Sequence, residues 1–236
     1  MTSIDTLIDR QLRRWEIASK GGSEESISQP SPLPIVTISR QSGSRGSYFA
    51  SRLAQKMDYQ RLHREVIDAI CRSSGYVKRI VESLDDHFRG NLDLMIEAML
   101  TGQSVDHGDY IRHLAKVILS MSRLGGVVLV GRGGNFILGP NRGFHIRFVA
   151  PREKRIENLV KYKEMDEAEA ASTIDRTDHD RKQFISKLFE ADIDDPVYYD
   201  MSINSSLMDV EDLVDVVHRA VKAKFDKLRF IDHDQI

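Results

Sequence analysis

The run Ile35-Val-Thr-Ile-Ser-Arg-Gln-Ser-Gly-Ser-Arg-Gly-Ser-Tyr-Phe-Ala-Ser-Arg-Leu-Ala54 constrains this chain more than any other stretch. Pro34 precedes the β-branched segment Ile35 to Ile38, which suits a short strand buried on both faces, as the first strand of a parallel sheet is. The turn Ser42-Gly-Ser-Arg-Gly-Ser47 is built of small residues and can take positive φ. From Ser47 the apolar residues Phe49, Ala50, Leu53, Ala54 and Met57 recur at helical spacing, so a helix starts as soon as the glycines end. A strand, a glycine turn and a helix in that order make an anion cradle, because first-turn N–H groups lack partners, the dipole end is positive, and side-chain-free residues let a phosphate approach.

Against the triphosphate loop G-x-x-x-x-G-K-[ST], Arg40 falls at the first glycine, Arg45 at the second, and Gly46 where a lysine would stand. Ser47 takes the Ser/Thr place, which makes its hydroxyl the candidate Mg2+ ligand. Such a turn also serves as an ordinary strand-to-helix connection, and both readings stay open on this segment alone.

A chain of 236 residues suits one large α/β domain or one with small insertions. Its 34 basic and 36 acidic residues give a net charge of -2, so no global field favours nucleic acid or an acidic membrane, and any anion site must be local. The single cysteine, Cys71, excludes an internal disulfide and reads as a half-buried helix residue in a reducing compartment. With no membrane-length apolar run and no signal-like block, the expectation is a cytoplasmic protein.

Residues Ile4, Leu7, Ile8, Leu12 and Trp15 share one helical face, which predicts an amphipathic helix within residues 1–20. That face is expected to dock either on the core or across a homodimer. Gly21 to Pro34 reads as a linker. Further along, Tyr59 to Leu62 predicts a strand, Arg64 to Cys71 a short helix, Asp109 to Arg123 a longer one, and Val127 to Val130 a second buried strand that runs into Gly131-Arg132-Gly133-Gly134. Phe144 to Ala150 predicts a third strand, the charged region Arg152 to Lys187 a solvated helix pair, Tyr199 to Ile203 a last strand, and Asp209 caps a closing helix. Strands separated by helices predict a parallel sheet covered on both faces, an α/β three-layer fold.

Five blocks in this order, Ile38-Ser-Arg-Gln-Ser-Gly-Ser44, Leu129-Val-Gly-Arg-Gly-Gly134, Ala150-Pro-Arg-Glu-Lys-Arg155, Asp178-His-Asp-Arg181 and Asp195-Pro-Val-Tyr-Tyr-Asp-Met-Ser-Ile-Asn-Ser205, resemble the cytidylate kinase-like family, a branch of the P-loop nucleoside monophosphate kinases. The resemblance implies a kinase domain over residues 35–225, followed by a tail at 226–236, with a monophosphate-binding region near 64–108 and a lid near 163–191. It implies transfer of the γ-phosphoryl of ATP, with Mg2+, to a nucleoside monophosphate such as CMP. Carried over by position, Gly43, Ser44, Gly46 and Ser47 correspond to the ATP phosphate loop, to which Arg40 and Arg45 add charge. Arg132 would grip the acceptor phosphate, Asp178 reach a ribose hydroxyl, and Arg181 reach a phosphate. Arg176 is the nearest residue to a further lid arginine, and Arg64 joins Arg132 and Asp178 as a substrate-binding candidate. Gly43→Val is expected to fill the cradle without unfolding the chain.

Three positions depart from the resemblance. Val130 and Gly133 flank the Gly-Arg pair where cytidylate kinases carry acidic residues, and His63 stands where an aspartate is expected, with Glu65 and Asp68 as the nearest substitutes. Two functional classes therefore stay open, an active monophosphate kinase and a regulatory or scaffolding protein that keeps the fold and binds nucleotide.

Overall fold

In the computed structural model, residues 4–20, 33–84, 86–100 and 108–228 are described. Five short strands, β1 (Val36–Arg40), β2 (Gln60–Leu62), β3 (Val127–Val130), β4 (Phe144–Val149) and β5 (Met201–Asn204), form one sheet in the order β2-β3-β1-β4-β5. Every pairing is parallel. Successive strand residues point to opposite faces, so Val127 and Leu129 enter one core while Val128 and Val130 enter the other.

Helices α2 (Gly46–Met57) and α10 (Val210–Leu228) cover one face through Phe49, Leu53, Leu213 and Val217. On the other face lie α1 (Ile4–Lys20), α3 (Arg64–Arg72), α4 (Ser74–Glu82), α5 (Asp86–Leu100), α6 (Gly108–Leu124) and the short α7 (Gly134–Leu138). The charged region folds as the expected pair, α8 (Arg152–Lys163) and α9 (Glu167–Phe189), which share a small apolar seam of Leu159, Ala170 and Ile174. This is the α/β three-layer parallel arrangement that the strand and helix pattern predicts. Helices α4 and α7 have no counterpart in the sequence reading.

Helix α1 packs most of its apolar face on the chain's own core. Ile8, Leu12 and Trp15 are buried, the Trp15 indole N–H donates to the Gly125 carbonyl at 3.0 Å, and Arg79 of α4 bonds Asp9 and Glu16. The proposed linker falls largely outside the described residues, and α10 carries regular structure three residues into the segment 226–236 read as a tail.

Because β1 lies between β3 and β4, the connections leaving β1 and β3 diverge at the carboxyl ends of adjacent strands, the crevice where open α/β sheets bind ligands. The glycine turn and the Gly131-Arg132-Gly133 turn both sit there.

Candidate functional site

The turn after β1 is shaped by the protein itself. Arg45 takes a left-handed backbone, φ 62°, and α2 starts with no side-chain cap, which leaves its first-turn amides for a ligand. The Ser44 hydroxyl is wholly buried and donates to Gln41 O at 2.8 Å, while Ser205 Oγ donates to Ser44 O at 2.7 Å. Ser44 was expected to touch a phosphate; its side chain instead fixes the shape of the loop. Gly43 needs correction too. A Cβ at Gly43 would stand 2.5 Å from the Arg155 carbonyl oxygen, and φ is +77°, so the glycine admits α8 rather than a ligand. Gly43→Val must disturb the fold, contrary to the expectation from sequence. Gly46 is needed because a Cβ there would lie 2.8 Å from Cβ of Arg40.

Asp178 of α9 is the hub of the lid contacts. Its Oδ1 accepts from the Ser42 amide at 2.7 Å and its Oδ2 from Arg155 Nη1 at 2.6 Å. Arg181, one turn on, donates to the Arg40 carbonyl at 2.9 Å. Asp178, expected at a ribose, therefore latches α9 onto the glycine loop. Arg155 is buried and also reaches Ala150 O and Ser42 O. Arg176 is exposed on α9.

Arg132 sits where the sequence places it, at the end of β3, in a left-handed conformation with φ 58° between Gly131 and Gly133. Its guanidinium is already engaged: Nε donates to Asp68 Oδ1 at 2.7 Å, and Nη2 pairs with Asp68 Oδ2. It also lies over the rings of Tyr110 and Phe184. Gly133, which follows the Gly-Arg pair, leaves no room for a side chain, since a Cβ there would stand 2.4 Å from the Phe189 ring. Phe189 stacks on Phe136 at 5.3 Å between centroids, and Tyr198 tilts against Phe136 at 4.9 Å.

Beside the end of β1, between β4 and α9, lies a cleft of about 190 Å³ whose lining includes Arg40, Arg147, Asp178, Arg181, Lys182 and Asp194. Arg40 lacks a hydrogen-bond partner at Nε. Burial and the Arg181 charge, opposed by Glu65 and helped by Arg147 and Arg64, lower its pKa to about 9. Burial also lowers Arg181, with Asp178 opposing and Arg147 and Arg64 adding to the depression. Arg64 stands exposed at the rim, 3.8 Å from Asp68. Arg45 lies between the exposed rings of Tyr48 and Tyr162, 4.9 Å from each centroid.

For Mg2+ the donor set is thin. Ser47 is exposed in the first turn of α2, but Glu65 accepts from or pairs with His63, and Asp68 pairs with Arg132. Among the described residues no three His, Cys, Asp or Glu side chains gather as a metal site. These residues suit an ion carried in by a nucleotide's phosphates and waters, with Ser47 alone available from the loop. Cys71 is buried, and burial pushes its thiol up to about 12, as a core residue. No described helix is long and apolar enough to cross a membrane.

A parallel sheet with a glycine cradle after its first strand and arginines gathered at the strand ends defines a nucleotide kinase-like protein of the α/β class. Residues 35–207 match the cytidylate kinase-like family, and the chain belongs to it. A cytidylate kinase of Methanocaldococcus jannaschii is 29% identical over 106 residues, 44% of this chain and 60% of that protein. A protein of Corynebacterium glutamicum named uronate isomerase is 34% identical over 101 residues, 42% of this chain and 20% of its own length. The matches thus span 60% and 20% of the two curated relatives' own lengths, less than two thirds of either. An uncharacterized protein from Eubacterium ventriosum has the same fold, with a TM-score of 0.64 and 18% identity over 81% of this chain and 99% of its own.

Proposed function

We propose that this protein transfers the γ-phosphoryl of ATP to a nucleoside monophosphate such as CMP. The observation that carries the proposal is an uncapped first turn of α2, beginning at Gly46, set against the half-buried Arg40 at the end of β1, whose carbonyl accepts from the half-buried Arg181 of α9. Phosphoryl transfer demands little covalent chemistry of a protein and much charge neutralisation. The first-turn amides of α2 would hold the donor phosphates, Mg2+ would bridge them near Ser47, and Arg40 and Arg181 would face the transferring group. Arg132 retains Nη1 for the acceptor phosphate while Asp68 fixes the plane of its guanidinium. With Gly133 at the base-reading position and Phe136 and Phe189 beside it, the acceptor base would be met by stacking rather than by its hydrogen-bonding edge, which relaxes base choice.

A second reading, nucleotide binding without transfer in a regulatory role, is favoured by one observation: the Asp178 carboxylate already occupies the Ser42 amide. The two readings separate in an ADP-release assay over a panel of nucleoside monophosphates, run beside calorimetric ATP titration. Monophosphate-dependent ADP release supports transfer. ATP binding with no release on any acceptor supports the regulatory reading.

A further inference from the structure

We infer that α1, which lies outside the residues matched to the family, is a brace for the acceptor side of the site. Arg79 of α4 is then a positioning residue for Arg132, because it ties the α3–α4 pair to α1 and so holds Asp68 at the Arg132 guanidinium.

Helix α1 presents two seams. Ile8, Leu12 and Trp15 recur at helical spacing and are buried in the core shared with α3, α4 and α6. Beside them Asp5, Asp9 and Glu16 form a second stripe, and this one meets α4. Tyr76 Oη donates to Asp5 Oδ1 at 3.1 Å, Arg79 Nη1 to Asp9 Oδ1 at 2.9 Å, and Arg79 Nη2 to Glu16 Oε1 at 2.9 Å. One guanidinium thus bridges carboxylates two turns apart, which its planar fork allows and a compact ammonium does not. Elsewhere α1 touches the turns that enter the sheet: the Trp15 indole bonds Gly125 O just ahead of β3, and Arg14 pairs with Asp58 just ahead of β2. These turns lie at the end of the sheet opposite the site, so α1 reaches the site only through α3. Helix α1 packs on α3, and α3 on α4 and α6. From α3 comes Asp68, whose Oδ1 accepts from Arg132 Nε at 2.7 Å and from the Tyr110 hydroxyl at 3.1 Å. A shift of α3 that lengthens these bonds releases the plane of the Arg132 guanidinium, on which its fork geometry depends. The brace is held without being locked. Arg79, Asp9 and Glu16 keep 37%, 46% and 36% of their side-chain surface in solvent, and Gln11 of the buried seam has no partner at Oε1, which opposes docking.

The place of Arg132 at the acceptor rests on the transfer scheme above, and the brace itself does not. Two readouts on the full chain keep them apart: amide hydrogen exchange along the sequence, and calorimetric titration with CMP and with ATP. Arg79→Met is expected to speed exchange of the α1, α3 and α4 amides about 2- to 30-fold, the share of two partly exposed ion pairs, while α2 and α10 on the far face keep their rates. CMP affinity should fall by a similar factor with ATP affinity kept. Arg79→Lys, serving one carboxylate at a time, should recover part of both. Lys78→Met removes the neighbouring cation of α4, which pairs within its own helix with Glu82, and should change neither readout. Gln11→Leu replaces the orphaned carbonyl with apolar surface and should slow exchange in α1 and α3 severalfold; it decides the brace if Arg79→Met does not fold. Faster exchange spread evenly into α2 and α10, equal effects of Lys78→Met and Arg79→Met, or exchange in α3 that neither Arg79→Met nor Gln11→Leu moves overturns the brace. A loosened α3 with unchanged CMP affinity overturns the positioning role of Arg79. A wild type that binds no monophosphate sinks the transfer scheme, and the exchange rates then decide the brace alone.

Discussion

Replacing Arg40 by methionine should stabilise the ligand-free protein while abolishing its affinity for phosphate. The Arg40 guanidinium is pressed from an ordinary 12.5 to about 9 by burial and by Arg181, Arg147 and Arg64. A guanidinium keeps its proton in proteins, so the depression measures electrostatic strain and not a titration near neutral pH. At about 1.36 kcal/mol per pKa unit, the shift corresponds to roughly 5 kcal/mol of strain. Part of this is offset in the substitution. The Arg40 head packs over Gly131, and that contact is lost, whereas methionine keeps the stem beside Gly46 and the main-chain carbonyl that Arg181 bonds. A net gain of about 1–3 kcal/mol is expected, which at about 2–4 °C per kcal/mol for a chain of this size raises the melting temperature by roughly 2–12 °C. The assay is thermal unfolding by circular dichroism in phosphate-free, low-salt buffer, repeated with added phosphate. Phosphate should raise the wild-type transition through binding to the native state and leave the variant unmoved. A variant that melts at or below wild type without phosphate would refute the reasoning, since Arg40 would then be an ordinary packed side chain.

Four other substitutions test separate parts of the account. Gly43→Ala meets the Arg155 main chain at positive φ and should cost about 1–3 kcal/mol, read as a lowered urea midpoint with unchanged slope. Trp15→Ala removes a buried indole and its bond to Gly125; a loss of about 3–5 kcal/mol is expected in the same denaturation experiment, and a loss within about 0.5 kcal/mol, the size of a surface substitution, would show α1 to be undocked. Arg132→Lys should lower monophosphate affinity and turnover about 30- to 150-fold, with ATP affinity nearly unchanged, because a single ammonium lacks the planar fork that pairs side-on with Asp68 while leaving Nη1 for the phosphate. His145 bonds Thr37 and Gly139 O, and burial holds its pKa below the ordinary 6.5. The unfolded chain therefore takes up the proton first as pH falls. Stability should drop on acidification below about 6.5 and stay level above it, and a melting-temperature series from pH 5 to 8 should show a smaller slope in His145→Gln.

Much of the scaffold is legible in the chain because buried parallel strands and amphipathic helices write their period directly. Ile35 to Ile38 is β-branched throughout and Val127 to Val130 apolar throughout since helices cover both faces, and α1, α2, α6 and α10 carry clear apolar stripes. Helix α7, five residues long, is too short to show a period. The site is only partly legible, because side-chain roles depend on contacts distant in sequence. Gly43 is a glycine on account of Arg155, and Ser44 faces its own loop. Asp178, which the family pattern puts at a ribose, turns to the Ser42 amide 136 positions away. One signal was present and unused. In Phe144-His-Ile-Arg-Phe148 the polar residues alternate with the apolar ones, so His145 and Arg147 share a strand face, and the buried Arg147 lines the cleft beside α9.

The most direct measurement is a single-turnover reaction of the full chain with γ-labelled ATP, Mg2+ and unlabelled nucleoside monophosphates, with the products separated and the label located. Transfer predicts label in a nucleoside diphosphate in wild type, with the amount sharply reduced in Arg181→Met. Label that stays in ATP, or that appears only as inorganic phosphate whatever acceptor is present, would contradict it.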